Sequence, residues 1–239
     1  MAKIKKRGDA ATTQPEQEIM TLARKSSDFI AKYRRLFTVA AAVVATLLVL
    51  IAGFALMRAY QEQQASPLEA AAYSYYNPEN GAIADYGRAL ELFRNVQQRY
   101  PNTMSGAIAQ YYIGNCLVNL GRPDEALKEY DAFIKQYSGK KILAGFVYQR
   151  MGYVYEGMGK TDEAKKYFEQ AESLLGTGVA TVELARLYEL AGNQQDAEKK
   201  YKTVFEKLMG TTWAMEASSK MQKIAPLTSP SPSKEEGKK

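Results

Sequence analysis

Cys116 is the only cysteine in these 239 residues, and the sequence contains no histidine to activate it. A thiol attacks as the thiolate and needs a neighbouring base or cation, so Ser–His and Cys–His nucleophiles and imidazole zinc sites are all excluded. Cys116 stands among Gly114, Leu117 and Val118, which is a packing environment. The adjacent carboxylates Asp124-Glu125 and Asp162-Glu163 fall in first turns of helical segments, where they complement the helix dipole and need no catalytic explanation. There is no CxxC, no glycine-rich phosphate loop and no nucleophile elbow. The 17 tyrosines are numerous enough to suggest a stacking platform for bases or sugars, but many recur at packing positions of a repeat described below. These residues therefore predict no catalytic group, no metal ligand set and no cofactor.

The elements that position these side chains begin with a charge asymmetry. Residues 1–35 hold nine of the 32 basic residues and four of the 26 acidic ones, leaving 23 and 22 for the rest of the chain. Nearly all of the net charge of +6 thus precedes Leu36. Basic charge placed against an apolar run, and not along a groove, argues against a nucleic-acid partner.

Leu36 to Met57 reads LFTVAAAVVATLLVLIAGFALM, 22 residues without a charge. At 1.5 Å per residue a helix of this length spans a hydrocarbon core of about 30 Å. It is longer than the core of a cleaved signal peptide and follows a longer leader, so an uncleaved anchor is expected. Lys32, Arg34 and Arg35 crowd its N-terminal edge, whereas the next 20 residues offer Arg58 against Glu62 and Glu69. The positive-inside rule then puts residues 1–35 in the cytoplasm and residues from 58 onward outside, which in a bacterium is the periplasm. Ile19, Leu22, Ser26, Phe29 and Tyr33 recur at helical spacing, giving either a surface-lying amphipathic helix or a solvated lead-in. Residues 1–15 are expected to be disordered.

The remaining chain repeats itself. NLGRPDEALKEYDAFIKQY, GMGKTDEAKKYFEQAESLL and LAGNQQDAEKKYKTVFEKL align without gaps on Gly121, Gly159 and Gly192. Five residues on stand Ala126, Ala164 and Ala197; four further, the aromatics Tyr130, Phe168 and Tyr201; three further, Phe133, Ala171 and Val204. A divergent earlier copy keeps Ala89, Phe93 and Val96, with Pro101 closing it. Upstream of each glycine lie Ile113-Gly114 with Leu117, Met151-Gly152 with Tyr155, and Leu184-Ala185 with Tyr188. Small residues at facing positions let two antiparallel helices approach closely while aromatics fill the space between them. The glycines predict left-handed helix ends, and Pro123, Thr161 and Asn193 suit the starts that follow. A hairpin of this kind cannot bury its apolar face alone, so several must stack and the ends must be covered. Ser66-Pro67-Leu68-Glu69 has the form of a capping box opening the first hairpin, and Asn77 to Gly81 reads as a break. Thr212 to Ile224, with Trp213 and Met215, reads as a solvating end helix before a Pro/Ser/Lys tail, residues 225–239, expected to be disordered.

The repeat resembles that of the tetratricopeptide family, which implies an all-α fold: a transmembrane helix at 36–57, then an α-solenoid of about four hairpins with a C-terminal capping helix over 58–224. Together with the leader EIMTLARKSSDFIAKYRR and the juxtamembrane AYQEQQASPLEAAAY, the layout resembles the YfgM-type ancillary subunits of the bacterial SecYEG translocon. The resemblance implies a non-catalytic inner-membrane scaffold that helps emerging envelope proteins meet chaperones, its partners being translocon components, nascent envelope proteins or periplasmic chaperones. Carried over from tetratricopeptide families, the partner-binding groove falls on Tyr111, Asn115 and Asn119, then Gln149, Tyr153 and Glu156, then Arg186 and Glu189. The lysines of a carboxylate clamp are not beside Asn115. An envelope-assembly or division coordinator and a structural subunit of a larger membrane complex are the alternatives.

Overall fold

The computed structural model describes Met20, Thr21, Arg24 and residues 31–228, and every regular element among the described residues is helical. The proposed amphipathic positions Ile19, Leu22, Ser26 and Phe29, together with residues 1–15 and 229–239, lie outside the described residues. The chain divides into two units, residues 1–57 and residues 58–239.

The first unit holds the start of helix α1, Arg34–Tyr76. Its apolar stretch is long and hydrophobic enough to cross a membrane, and its side chains are exposed, Val49 by 70 %. The two threonines in it turn their hydroxyls back onto the helix, Thr38 Oγ1 donating to the Arg35 carbonyl at 2.9 Å and Thr46 Oγ1 to that of Ala42 at 2.9 Å. Such bonding satisfies each hydroxyl within the helix itself.

In the second unit, residues 58–76 of α1 form the first helix of the first hairpin. The capping box expected at Ser66 to Glu69 is corrected here, because α1 runs unbroken with Pro67 inside it. A mid-helix proline costs about 3 kcal/mol. Contacts on both sides of it hold the helix straight through: Glu62 before it accepts the Met104 and Ser105 N–H groups and the Ser105 hydroxyl, and Ala65 and Ala72 are fully buried. The break comes where expected, with Pro78 and a left-handed Gly81 around a short 3-10 turn.

Helix α2, Tyr86–Arg99, starts on Asp85, whose carboxylate accepts the Arg88 N–H at 2.8 Å. Three hairpins follow: α3 (Met104–Asn119) with α4 (Pro123–Gln136), α5 (Lys141–Gly157) with α6 (Thr161–Leu175), and α7 (Val179–Leu190) with α8 (Gln194–Lys207). The same turn joins each pair. Gly121, Gly159 and Gly192 take φ of 72°, 73° and 76°, and the next residue's N–H reaches back to the Leu117, Tyr155 or Tyr188 carbonyl at 2.9 Å. This is the Schellman closure that glycine permits without strain. Pro123 opens α4 and Asn193 caps α8, as expected; Thr161 is the first helical residue of α6, with Lys160 in the cap position and no side-chain bond there.

Within the hairpins, Tyr130, Phe168 and Tyr201 are buried, as are Ala126, Ala164 and Ala197. Tyr130 lies against Gly114 and Phe168 against Gly152, so the glycines set how closely the paired helices approach. Helix α9, Thr212–Thr228, closes the stack with Ala214, Ala217 and Ile224 buried, and so extends four residues beyond the expected Ile224 end. The solenoid is therefore four hairpins and a capping helix.

Candidate functional site

The first helices follow one another along one face: α3 packs against α5 and is bonded to it through Arg150 and Tyr111, and side-chain bonds of Tyr153 and Glu156 join α5 to α7. Their shared face is the inner surface on which the eight groove candidates were placed; seven of them fall into three groups and Gln149 into none.

Asn115, Asn119 and Tyr153 come together around a polar cleft of about 130 Å³, which Tyr76, Tyr130 and Arg150 also line. Asn115 is buried; its Oδ1 accepts the Tyr130 hydroxyl at 2.6 Å, and its Nδ2 has no protein partner. Asn119 is exposed and donates to the Asn115 carbonyl at 2.9 Å. Arg150 was not among the candidates. Its Nε donates to the Tyr111 hydroxyl at 3.2 Å, and among the described residues no carboxylate lies within ion-pairing distance of it. Gln149, its sequence neighbour, is half-buried and does not line the cleft.

Tyr111 lines a second, apolar cleft of about 470 Å³ with Tyr73, Ile108, Tyr112, Leu143 and Phe146, and Glu69 at its rim. Tyr112 anchors this end, its ring meeting Tyr73, Tyr76 and Tyr111 edge-on at about 5 Å and stacking on Phe93 at 5.1 Å. Burial pushes the Glu69 carboxyl above the usual range, with Glu62 adding to the shift against a Ser105 hydrogen bond.

Glu156, Arg186 and Glu189 are engaged internally. Arg186 bridges Glu156 at 2.6 Å and Glu183 at 2.8 Å, and Glu183 also accepts the Tyr153 hydroxyl at 2.9 Å. Burial opposes the Arg186 charge, but its two carboxylates outweigh that and raise its pKa. Glu189 accepts the Tyr201 hydroxyl at 2.9 Å and pairs with Lys220 of α9 at 3.0 Å. Burial alone would raise its pKa, yet those two donors hold it below the usual carboxylate range. The inner face is thus self-satisfied toward its C-terminal end and unpaired toward its N-terminal end. Glu183 and Lys220, which do the pairing, were not among the candidates: the Lys220 partner lies 31 positions away, whereas Glu183 stands three residues before Arg186, a spacing visible in the sequence.

Cys116 is fully buried and its thiol is pushed up to about 12 by that burial, so it serves packing and not reaction. Among the described residues no group of three His, Cys, Asp or Glu side chains is placed to hold a metal ion.

Residues 105–176 match the family model described as tetratricopeptide repeat. Among solved structures, the fold is similar to a tetratricopeptide repeat protein from Parabacteroides merdae, at 17 % identity and a TM-score of 0.55 over 69 % of this chain and 61 % of that one. It is also similar to a putative kinesin light chain with nearly identical TPR-like repeats from Podosopora anserina, at 17 % identity and a TM-score of 0.53 over 68 % and 86 % of the two chains. This chain therefore spans less than two thirds of the Parabacteroides merdae protein, and the likeness establishes the tetratricopeptide-like solenoid fold.

Proposed function

We propose that this chain is a non-catalytic protein–protein interaction scaffold held at a bacterial inner membrane by residues 36–57. On this reading residues 1–35 lie in the cytoplasm, and the hairpins of residues 58–224 face the periplasm and assist translocation or folding of envelope proteins. Tetratricopeptide repeats are scaffolds for protein–protein interaction, and the match over residues 105–176 supports that class. The observation that carries the reading is the uncovered inner face: Asn119, Phe146 and Arg150 are exposed on helices that elsewhere bury Ala109, Ile113 and Cys116 on α3 and Ala144, Val147 and Met151 on α5. A surface of polar groups around an apolar cleft suits polypeptide partners. The basic edge at Lys32, Arg34 and Arg35 supports the orientation.

A second reading, a structural subunit of a larger complex, draws on a different surface. Phe205, Met209, Trp213 and Met215 are exposed around the α8–α9 turn, and Phe205, Met209 and Met215 line a common apolar hollow there. Contiguous exposed apolar surface suits a fixed interface.

Copurification of the full chain from mild detergent, followed by mass spectrometry, separates the two. Translocon components with a spread of envelope proteins support the scaffold, and one stoichiometric complex supports the structural subunit. Protease added to intact spheroplasts must cleave beyond Arg58; full protection of those residues overturns the orientation.

A further inference from the structure

The two clefts of the inner face are linked by one hydrogen bond, from Arg150 of the polar cleft to Tyr111 of the apolar one. Tyr111 lines the apolar cleft with one side of its residue and holds Arg150, at the edge of the polar cleft, through its hydroxyl. The two ends of this surface carry opposite charge that no described residue neutralises. Among the described residues Arg150 has no carboxylate within ion-pairing distance, and Glu69 at the rim of the apolar cleft has no cation within that distance. Elsewhere on the same face the charges are matched, Arg186 with Glu156 and Glu183, and Glu189 with Lys220. A guanidinium beside a buried amide nitrogen that lacks an acceptor is arranged to receive an oxyanion. The cleft next to it, walled by Phe146, Leu143 and Ile108, is arranged to receive a large apolar side chain.

We propose that this surface binds an extended peptide segment carrying a large apolar residue and, two positions away, an acidic one. The apolar side chain fills the cleft between α1, α3 and α5, and the carboxylate sits on Arg150 and Asn115 Nδ2. The spacing follows from strand geometry: two residues of extended chain cover about 7 Å, roughly the reach across one tyrosine, and side chains at i and i+2 point the same way. Glu69 selects against a second acid on the other side of the apolar residue and favours a base there. The proposal rests on the scaffold reading and names the chemistry of its partner.

The test is fluorescence anisotropy of the full chain in detergent micelles with dye-labelled nine-residue peptides. The reference peptide is Gly-Ser-Lys-Gly-Phe-Gly-Asp-Ser-Gly; one variant replaces its Asp by Lys and another its Phe by Ser. Binding of the reference should exceed that of each variant by about tenfold, the worth of one charge-assisted hydrogen bond or one filled apolar pocket. Arg150→Glu should invert the ranking of the Asp and Lys peptides, an outcome that a merely damaged fold does not produce. Phe146→Ser, on an exposed side chain, should abolish the preference for Phe and leave the preference for Asp. Equal binding of the Asp and Lys peptides, or an unchanged ranking in Arg150→Glu, overturns the proposal. So does a concentration-dependent dimer, seen by sedimentation, that the reference peptide fails to dissociate, since a second copy would then be the occupant. If a photocrosslinker at Asn119 captures partner chains in cells while the peptides do not rank, the scaffold reading survives and this peptide chemistry falls. If neither signal is seen, both fall.

Discussion

Replacing Gly152 by alanine tests whether glycine sets the spacing of paired helices. A Cβ built on Gly152 lies 2.7 Å from Phe168 Cε1, 2.8 Å from Cδ1 and 2.9 Å from Cζ, all well inside van der Waals contact. Gly157, on the same helix, has no atom within 4 Å of its own added Cβ. Both substitutions gain about 0.5–1 kcal/mol of helix propensity, Gly157 toward the lower figure because it ends α5. Only Gly152→Ala must also force a ring that is fully buried, a strain of about 1–3 kcal/mol. The net expectation is a loss of up to roughly 2.5 kcal/mol for Gly152→Ala and a gain of about 0.5 kcal/mol for Gly157→Ala. At about 2–4 °C per kcal/mol for a domain of this size, thermal unfolding of the full chain in detergent, followed by circular dichroism, resolves the two. Phe168→Leu, added to Gly152→Ala, should be less damaging than the sum of the single changes, because it removes the colliding ring atoms. A Gly152→Ala protein at least as stable as Gly157→Ala would refute the close-approach argument.

Glu62→Ala should lower stability by about 1–3 kcal/mol and speed amide exchange at Met104 and Ser105, since both N–H groups lose their acceptor; unchanged exchange there would mean that Glu62 does not tie α1 to α3. Glu189 is held below its ordinary pKa, so its contribution is present above about pH 4.5 and is lost as pH falls through the depressed value. Acidification below pH 4.5 should therefore loosen α9, as a loss of exchange protection around Ala217 that Glu189→Gln removes in advance. Cys116 should resist maleimide at pH 7 in the native protein and react fully in urea; rapid native labelling would contradict its burial.

Much of the fold was legible because its determinants are local. Each Schellman glycine, each small residue and each aromatic acts on neighbours within one hairpin, so a fixed spacing in sequence is a fixed geometry in space. Pro67 was misread because its usual effect is also local, whereas the contacts that carry α1 through it come from Ser105, 43 positions from Glu62. The groove was legible only as a face. The positions carried over from tetratricopeptide families include Gln149, but it is Arg150, one residue on, whose long side chain meets Tyr111, 39 positions earlier. The repeat spacing of 37 and 38 residues between Ala89, Ala126 and Ala164 would have placed Arg150 beside Tyr111 and Tyr112. The pairing of Arg186 with Glu156 and of Glu189 with Lys220 depends on the stacking of successive hairpins, which no single repeat encodes.

The most direct test is site-specific photocrosslinking in living cells, with the crosslinker at Asn119 and Phe146 on the inner face and at Lys166 on a second helix. Adducts to other polypeptides from the two inner positions and none from Lys166 are the expected result. Adducts from Lys166 alone would contradict a scaffold that grips its partners through the inner face of its hairpins.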